Sequence, residues 1–135
     1  MSWIGVDLDG TLAMYEGWKG PMEIGEPIPT MIERMQEWWV KRQEVRIFTA
    51  RCYPLMYVPL SYSPDWVPCN YEQQIAKQAV EAIRHWCNTH LGRYYAITCV
   101  KDYSMWQLWD DRAVQIEQNT GRRMDEPPPY AEEVP

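Results

Sequence analysis

The stretch that decides the fold lies at the start of the chain and reads Trp3-Ile4-Gly5-Val6-Asp7-Leu8-Asp9-Gly10-Thr11-Leu12. Its first half is short, apolar and partly β-branched, which is typical of a buried strand in a parallel sheet. Its second half brings two carboxylates, Asp7 and Asp9, followed by a glycine that permits a sharp turn. The stretch therefore predicts a strand with both carboxylates at its carboxyl end, where open α/β sheets bind ligands.

Asp7 and Asp9 repel each other unless a cation, a proton or a basic partner lies close to them. Oxygen-rich sites of this kind suit Mg²⁺, which proteins hold through one or two carboxylates, waters and phosphate oxygens. The alternative interpretation is an exposed Asp-x-Asp-Gly turn without chemistry, since Asp and Gly are common turn formers. The remaining strand ends of the chain distinguish these two interpretations.

The length and charge of the chain limit the classes of protein to consider. Its 135 residues predict one domain that buries a core without disulfides. The net charge of −6 argues against a general affinity for nucleic acid, although a bound Mg²⁺ would still allow a small phosphorylated substrate. No membrane span or signal peptide is visible, and the four cysteines lack C-x-x-C or zinc-site spacing. We therefore expect reduced thiols and a cytoplasmic protein.

Two loops carry most of the Gly, Pro and aromatic residues. The flap loop, residues 13–29, is predicted to be a loop or small hairpin over the carboxylates, with Tyr15, Trp18 and Lys19 as its notable side chains. It is either a flap that contacts the substrate or a surface loop whose aromatics pack on the domain. The aromatic loop, residues 52–70, is predicted to be irregular. It is either a lid over the substrate or a packed loop without a substrate role.

The rest of the chain predicts alternating helices and strands. A capping box at Thr30-Met31-Ile32-Glu33 begins a helix that should end near residues 42–43. A second helix over residues 71–91 has Asn70 as N-cap and Gly92 as its stop. The other predicted segments are strands over 45–51 and 95–100, a short strand ending at Trp109, a short helix over 113–120 and a disordered, Pro-rich acidic tail over 125–135.

Each predicted strand ends in side chains suited to phosphate or metal chemistry. The second strand ends at Thr49, whose hydroxyl and following backbone N–H groups, beginning at Ala50, suit phosphate oxygens. The third strand delivers Lys101, and the fourth delivers Asp110 and Asp111. Because parallel strands end at the same edge of a sheet, we expect these groups to lie near the two carboxylates of the first strand.

This set of side chains suits phosphoryl transfer through a covalent aspartyl phosphate. Asp7 would be the nucleophile, while Asp9 would protonate the leaving oxygen and then deprotonate the attacking water. Lys101 would hold the phosphate oxygens against the nucleophile as a point charge. Asp110, helped by Asp111, would hold Mg²⁺ beside Asp7. The sequence therefore predicts a Mg²⁺-dependent phosphatase.

Four stretches of the chain resemble, in the same order, the four motifs of the haloacid dehalogenase superfamily of phosphohydrolases. They are Asp7-Leu8-Asp9-Gly10-Thr11-Leu12, Thr49-Ala50-Arg51, Lys101 and Asp110-Asp111, and the resemblance covers residues 3 to about 121. The resemblance implies a Rossmann-like, three-layer α/β/α fold with a mostly parallel sheet. It also implies Mg²⁺ bound by Asp7, the backbone carbonyl of Asp9 and Asp110. The second aspartate, Asp9, marks a phosphatase in that family, and Thr49 matches its phosphate-binding hydroxyl.

The loops leave no room for a large cap domain, so the chain is similar to small, minimal-cap phosphatases of bacteria and phages, some of which act on nucleotides. A nucleotide monophosphate is the first substrate expected and a sugar phosphate the second, since the loop aromatics could stack on a base. Those aromatics could equally belong to the core or to a homodimer contact.

Three alternatives compete with this interpretation. A receiver domain also uses acidic residues, Thr, Lys and Mg²⁺, but there the acidic pair comes first, whereas here Asp110-Asp111 comes last. A catalytically silent relative would bind a phosphorylated ligand or a protein. A 3′-phosphatase acting on nucleic acid ends is disfavoured by the acidic charge.

Overall fold

The fold consists of a five-stranded sheet and two helices in the computed structural model, which describes residues 2–126. The strands and helices, numbered in chain order, are β1 (Trp3–Asp7), α1 (Pro29–Val40), β2 (Glu44–Phe48), β3 (Tyr57–Val58), α2 (Tyr71–Leu91), β4 (Ala96–Thr98) and β5 (Met105–Trp109). A 3₁₀ turn, Ala50–Cys52, follows β2 directly.

The sheet has the strand order β3-β4-β2-β1-β5. Strand β1 pairs in parallel with β2 on one side and with β5 on the other, and β2 pairs in parallel with β4. Only the two-residue edge strand β3 runs antiparallel, alongside β4. The prediction of an α/β fold with a mostly parallel sheet is confirmed, and the carboxyl ends of β1, β2, β4 and β5 lie at one edge.

Both helices cover the same face of the sheet, so the prediction of helices on both faces is wrong for residues 2–126. Helices α1 and α2 contact each other and share one apolar core with alternate strand residues. That core includes Ile4, Val6, Met35, Val45, Ile47, Val80, Ile83 and Ile97. The chain steps from β1 to β2 to β4 in one direction, and right-handed crossovers in one direction place their helices on one side.

The second face of the sheet is covered by side chains and by the connection between β4 and β5. That connection, residues 99–104, spans at most about 20 Å, so it has no length for a helix. The Trp3 indole N–H donates to Asp102 at 2.8 Å, and the Trp3 backbone N–H donates to Ser104 at 3.0 Å. Arg46 stacks on the Trp3 ring at 4.4 Å from its centroid. Trp3 is consequently fully buried on a face without a helix.

The first helix begins and ends earlier than its sequence signals predict. Its N-cap is Ile28, which makes no side-chain cap, so the predicted capping box at Thr30 is wrong. Pro29 occupies the first helical position, where its fixed φ suits the helix and its missing N–H costs nothing. The helix ends at Val40, and Arg42 turns the chain with a φ of 60°.

The second helix matches its predicted bounds at both ends. The Asn70 side chain accepts the Gln73 N–H at 2.9 Å, and Gly92 ends the helix with a φ of 76°. The predicted helix over 113–120 is wrong. Ile116 of this segment instead forms a β-bridge with Arg123. A helix of eight residues with exposed apolar side chains would have no apolar face to bury, so tertiary packing would not stabilise it.

The two loops are partly ordered by backbone pairing. The flap loop has a hairpin base, where Ala13 bridges Pro27 and the Met14 N–H donates to Glu26 at 2.8 Å. Gly25 lies so close to the Met14 carbonyl that any side chain would collide with it. The aromatic loop is not wholly irregular, since it contains β3.

No helix among residues 2–126 is long and apolar enough to cross a membrane. All four cysteines are free thiols, as predicted. The predicted disordered tail begins at Asp125, whose carboxylate pairs with Arg123 at 2.8 Å. Residues 127–135 of that tail lie outside the described residues.

The two predicted N-caps offer a matched test of the helix ends. We expect Asn70→Ala to lower the free energy of unfolding by about 1 kcal/mol, because it removes the acceptor of the Gln73 N–H. Thr30→Ala should change it by less than about 0.5 kcal/mol, because Thr30 caps nothing. Urea unfolding of both variants measures the difference, and equal losses would contradict the cap assignment.

Candidate functional site

Three carboxylates meet at the carboxyl edge of the sheet. Asp7 ends β1, and Asp110 and Asp111 follow β5, which is the direct neighbour of β1. One oxygen from each of the three lies within 4.8 Å of the others. Asp7 and Asp110 are half-buried and Asp111 is exposed. Parallel pairing of the two strands therefore brings together residues that are more than a hundred positions apart in sequence.

The turn after β1 joins this carboxylate cluster through Thr11. The Thr11 hydroxyl lies 3.3 Å from Asp7 Oδ2 and 3.2 Å from Asp111 Oδ1, and it accepts the Asp111 backbone N–H at 2.9 Å. A hydroxyl has one proton, so it cannot satisfy both carboxylates fully. Gly10, with a φ of 89°, lets the Asp111 carboxylate lie directly against the turn.

Asp7 is the carboxylate most affected by this crowding. Burial, followed by the charge of Asp110 and then by the contact and charge of Asp111, raises the pKa of Asp7 from 3.8 to about 7. Only the Thr11 hydrogen bond acts in the opposite direction. Without a cation, the cluster therefore relieves its repulsion by keeping a proton on Asp7.

The donor set of this cluster fits a divalent cation. Three carboxylate oxygens are the hard ligands that Mg²⁺ prefers. Neighbouring oxygens around an octahedral Mg²⁺ lie roughly 3 Å apart, so the three carboxylate oxygens, all within 4.8 Å of one another, would move closer together to bind one ion. Burial is the largest cause of the raised pKa of Asp7, and a cation would offset the second cause, the charges of Asp110 and Asp111. Asp7, Asp110 and Asp111 are thus the residues that could hold a metal.

Asp9 is held apart from the other carboxylates by an arginine. Arg51 Nε donates to Asp9 Oδ2 and Arg51 Nη2 donates to Asp9 Oδ1, both at 2.8 Å. The Arg51 side chain is only 5% exposed. Sequence reasoning gave Arg51 no role, although its position two residues after Thr49, at the end of β2, was a usable signal. Arg51 binds the side-chain oxygens of Asp9 and not its backbone carbonyl. That carbonyl is the Asp9 atom that the resemblance assigns to the metal.

Thr49 and Ala50 lie where the sequence predicts them, at the carboxyl end of β2. Thr49 is 3% exposed and caps the 3₁₀ turn, since its hydroxyl accepts the Arg51 N–H at 3.2 Å. Among residues 2–126 this hydroxyl donates to no protein group, so its proton is available to a ligand. Both residues line the same cleft as Asp7 and Asp9.

Lys101 does not reach this site in the described structure. It is exposed, makes no hydrogen bond or ion pair within residues 2–126, and does not line the cleft. It belongs to the connection that leaves β4 and crosses the second face of the sheet. Strand β4 is also separated from β1 by β2, a distance of about 10 Å. Arg112 lines the cleft, and sequence reasoning assigned it no role.

The carboxylates form the floor of a cleft of about 710 Å³. Its walls come from the flap loop, the end of β2, helix α2 and the residues after β5, and they include Tyr15, Trp18, Phe48, Tyr53, Ile75 and Arg112. Tyr15, Trp18 and Tyr53 are each about half exposed, so their ring faces are available to a ligand.

Most of the aromatic loop lies away from this cleft. Tyr62 accepts the Trp66 indole N–H at 3.0 Å, and Lys77 lies over the Trp66 ring. Tyr57 lies beside Arg46 on the second face of the sheet. Within this loop, Tyr53 is the aromatic residue that lines the cleft, so the packed interpretation describes the rest of the loop best.

No protein-family model matches the chain, and neither a curated protein nor a solved structure matches it. The case for a function therefore depends on the geometry and chemistry of the cleft.

The contact between Gly10 and Asp111 offers a test of the metal site. A Cβ at Gly10 would lie about 2.5 Å from Asp111 Oδ2, so Gly10→Ala should displace that carboxylate and weaken Mg²⁺ binding at least about tenfold. Gly121→Ala is the matched control, because Gly121 has a similar φ of 79° and no neighbour within 4 Å. Calorimetric titration with MgCl₂ measures both variants. Equal affinities would exclude Asp111 from the site.

The raised pKa of Asp7 predicts how the stability of the metal-free protein depends on pH. Between pH 3.8 and about 7 the unfolded chain loses the Asp7 proton while the folded protein keeps it, so stability falls as pH rises. Asp7→Asn removes this loss. In EDTA, the variant should therefore gain stability relative to the wild type from pH 4 to pH 8, as measured by urea unfolding. A difference independent of pH would contradict the shifted pKa.

Proposed function

We propose that this protein is a Mg²⁺-dependent phosphatase that hydrolyses a phosphomonoester through an aspartyl-phosphate intermediate, as the haloacid dehalogenase superfamily does. The observation that carries the proposal is the position of Asp7 among three carboxylates, in one cleft with the end of β2. A nucleophile, a set of metal ligands and a phosphate-binding turn then lie at one sheet edge. The Rossmann-like class assignment supports the same proposal.

In the first step, an Asp7 carboxylate oxygen attacks the phosphorus and the bond to the leaving oxygen breaks. Bound Mg²⁺ supplies positive charge that offsets the repulsion between the carboxylates and the phosphate. Thr49 donates its free hydroxyl proton to a phosphate oxygen, and the N–H groups that begin at Ala50 complete the turn around it. Asp9, which first takes up a proton from solvent because it is a carboxylate in its pair with Arg51, delivers that proton to the leaving oxygen, which departs as an alcohol.

In the second step, water attacks the phosphorus of the aspartyl phosphate and the bond to Asp7 breaks. Asp9 takes the water proton, which restores both side chains and releases inorganic phosphate. Arg51 occupies one acceptor site on each Asp9 oxygen, and a carboxylate has about four such sites in all. Asp9 therefore keeps acceptor capacity for this proton while it remains paired.

The positive charge beside the phosphate is assigned to Arg112, because it lines the cleft and, unlike Arg51, is not paired with Asp9. The role predicted for Lys101 stays a prediction, since its connection lies outside the cleft lining. Lys101→Ala and Arg112→Ala separate the two assignments. The KM for the phosphate ester should rise in the variant that removes the phosphate-contacting residue and stay unchanged in the other.

A nucleotide monophosphate is the substrate that the cleft supports best. Tyr15 and Trp18 from the flap loop and Tyr53 from beyond β2 present half-exposed rings beside the carboxylates. Base–aromatic stacking is worth roughly 1–3 kcal/mol per base, which suits recognition without a cap domain. A sugar phosphate is the second candidate, and the net charge of −6 disfavours nucleic acid ends.

The test is phosphate release with Mg²⁺ from ribo- and deoxyribonucleotide monophosphates, sugar phosphates and a 3′-phosphorylated oligonucleotide. Nucleotides should be the preferred esters, and Asp7→Asn should lower kcat roughly a thousandfold or more because the nucleophile is gone. Asp65→Asn, at an exposed aspartate of the aromatic loop, is the control and should keep full activity. EDTA should stop turnover and Mg²⁺ should restore it.

Activity that survives in Asp7→Asn would remove Asp7 from the nucleophile role, and EDTA-resistant turnover would exclude the metal. Binding of a phosphate ester without release from any of them would favour the silent, ligand-binding alternative.

A further inference from the structure

We propose that Arg51 is a positioning residue that holds the Asp9 carboxylate and fastens the flap loop over it. The inference rests on the proposed function for the role of Asp9, but the contacts themselves do not depend on that function. Four of the five guanidinium N–H groups are used in the folded protein. Two bind Asp9, and the other two bind backbone carbonyls of the flap loop.

The contacts to the flap loop are made at its tip. Arg51 Nη1 donates to Pro21 at 3.3 Å, and Arg51 Nη2 donates to Glu23 at 3.0 Å. The Trp18 ring lies 4.8 Å from the guanidinium carbon, which is a cation–π distance. One side chain therefore touches the catalytic carboxylate and three positions of the flap loop.

The tip depends on Arg51 because its other attachments to the protein are few. The base of the flap loop is held by Met14, Gly25 and Glu26, which bond to backbone or to Trp86. In the part of the chain that the structure describes, the hydrogen bonds that join residues 15–24 to the rest of the protein are both donated by Arg51. Loss of those bonds would leave the tip held by apolar contacts alone.

The position of Arg51 in the fold explains why it can make both sets of contacts. It lies in the 3₁₀ turn that Thr49 caps, directly beyond β2, and β2 is the neighbour of β1. The pair with Asp9 also lies where the 710 Å³ cleft adjoins a second cavity of about 370 Å³ lined by the flap loop, since both residues line both cavities. Opening of the flap loop and release of Asp9 are thus governed by one guanidinium.

Two consequences distinguish this role from a general contribution to stability. A loosened tip should expose the Lys19–Gly20 bond to protease. A misplaced Asp9 should slow esters that need a proton on the leaving oxygen more than esters that do not. A nucleoside 5′-monophosphate belongs to the first class and p-nitrophenyl phosphate to the second, because nitrophenolate leaves without a proton.

The first arm of the test is trypsin cleavage after Lys19 in the metal-free, full-length protein, followed by mass spectrometry. Arg51→Lys keeps the charge but cannot make four directed bonds, so cleavage should become roughly tenfold faster or more. Arg46→Lys is the matched control. Arg46 is also part-buried, ion-paired and stacked on aromatic rings, but on the second face of the sheet, so cleavage after Lys19 should not change.

The second arm compares kcat for the two esters in the presence of Mg²⁺. Arg51→Lys should lower kcat for the nucleotide at least about tenfold more than kcat for p-nitrophenyl phosphate. Arg46→Lys is again the control and should leave the ratio of the two kcat values unchanged. Trp18→Leu removes the stacking on Arg51 but leaves the Asp9 pair, so in the first arm it should speed cleavage after Lys19. This variant also keeps the test decisive if Arg51→Lys does not fold.

Failure of the proposed function and failure of this inference give different results. A wild-type protein that hydrolyses neither ester would refute the proposed function, and the cleavage arm would still decide whether Arg51 fastens the flap loop. Unchanged cleavage after Lys19 in both Arg51→Lys and Trp18→Leu would overturn the inference. Equal loss on both esters in an active enzyme would overturn the part that concerns Asp9.

Discussion

Repulsion among carboxylates at the ends of β1 and β5 is the constraint on which the architecture of the cleft depends. The fold divides the four carboxylates into two groups. Asp7, Asp110 and Asp111 share one small volume, where a proton or a divalent cation has to offset their charge. Asp9 is neutralised separately, by the two-point contact with Arg51. Asp9 therefore has a cationic partner of its own within residues 2–126, whereas a proton on Asp7 relieves the repulsion in the other group.

The one-sided arrangement of helices follows from the order of the strands. Because β1, β2 and β4 are added in one direction, both helices lie on one face, and the return to β5 crosses the other face through a short connection. That return fills the second face with Trp3, Arg46 and Asp102 in place of a helix. It also brings β5 beside β1, which is what places Asp110 and Asp111 next to Asp7. The same crossing thus accounts for an unusual sheet face and for the carboxylate cluster.

Several of the many Trp and Tyr rings stack with arginine. The chain has eight Trp, nine Tyr and one Phe, and several of these rings lie under guanidinium groups at its surface. The pairs at the surface are Arg34 with Trp109, Arg51 with Trp18, Arg84 with Tyr94 and Arg93 with Trp39. A Trp or Tyr ring has an apolar body and a polar N–H or O–H group, so it suits positions that are partly exposed to solvent. In the cleft, the same kind of pair connects the flap loop to Asp9.

The sequence by itself determined the type and order of the main elements, the helix over 71–91 with its caps, and the groups at the ends of β1, β2 and β5. These features are local, because a strand followed by a carboxylate and a glycine carries its signal within a few residues. Tertiary structure alone decided that both helices share one face, that Lys101 lies away from the cleft and that Arg51 binds Asp9. Those outcomes depend on the strand order and on contacts between distant residues, such as Asp9 and Arg51, which are 42 positions apart. No local signal encodes them, since the free energy of such contacts exists only once the sheet has brought their partners together.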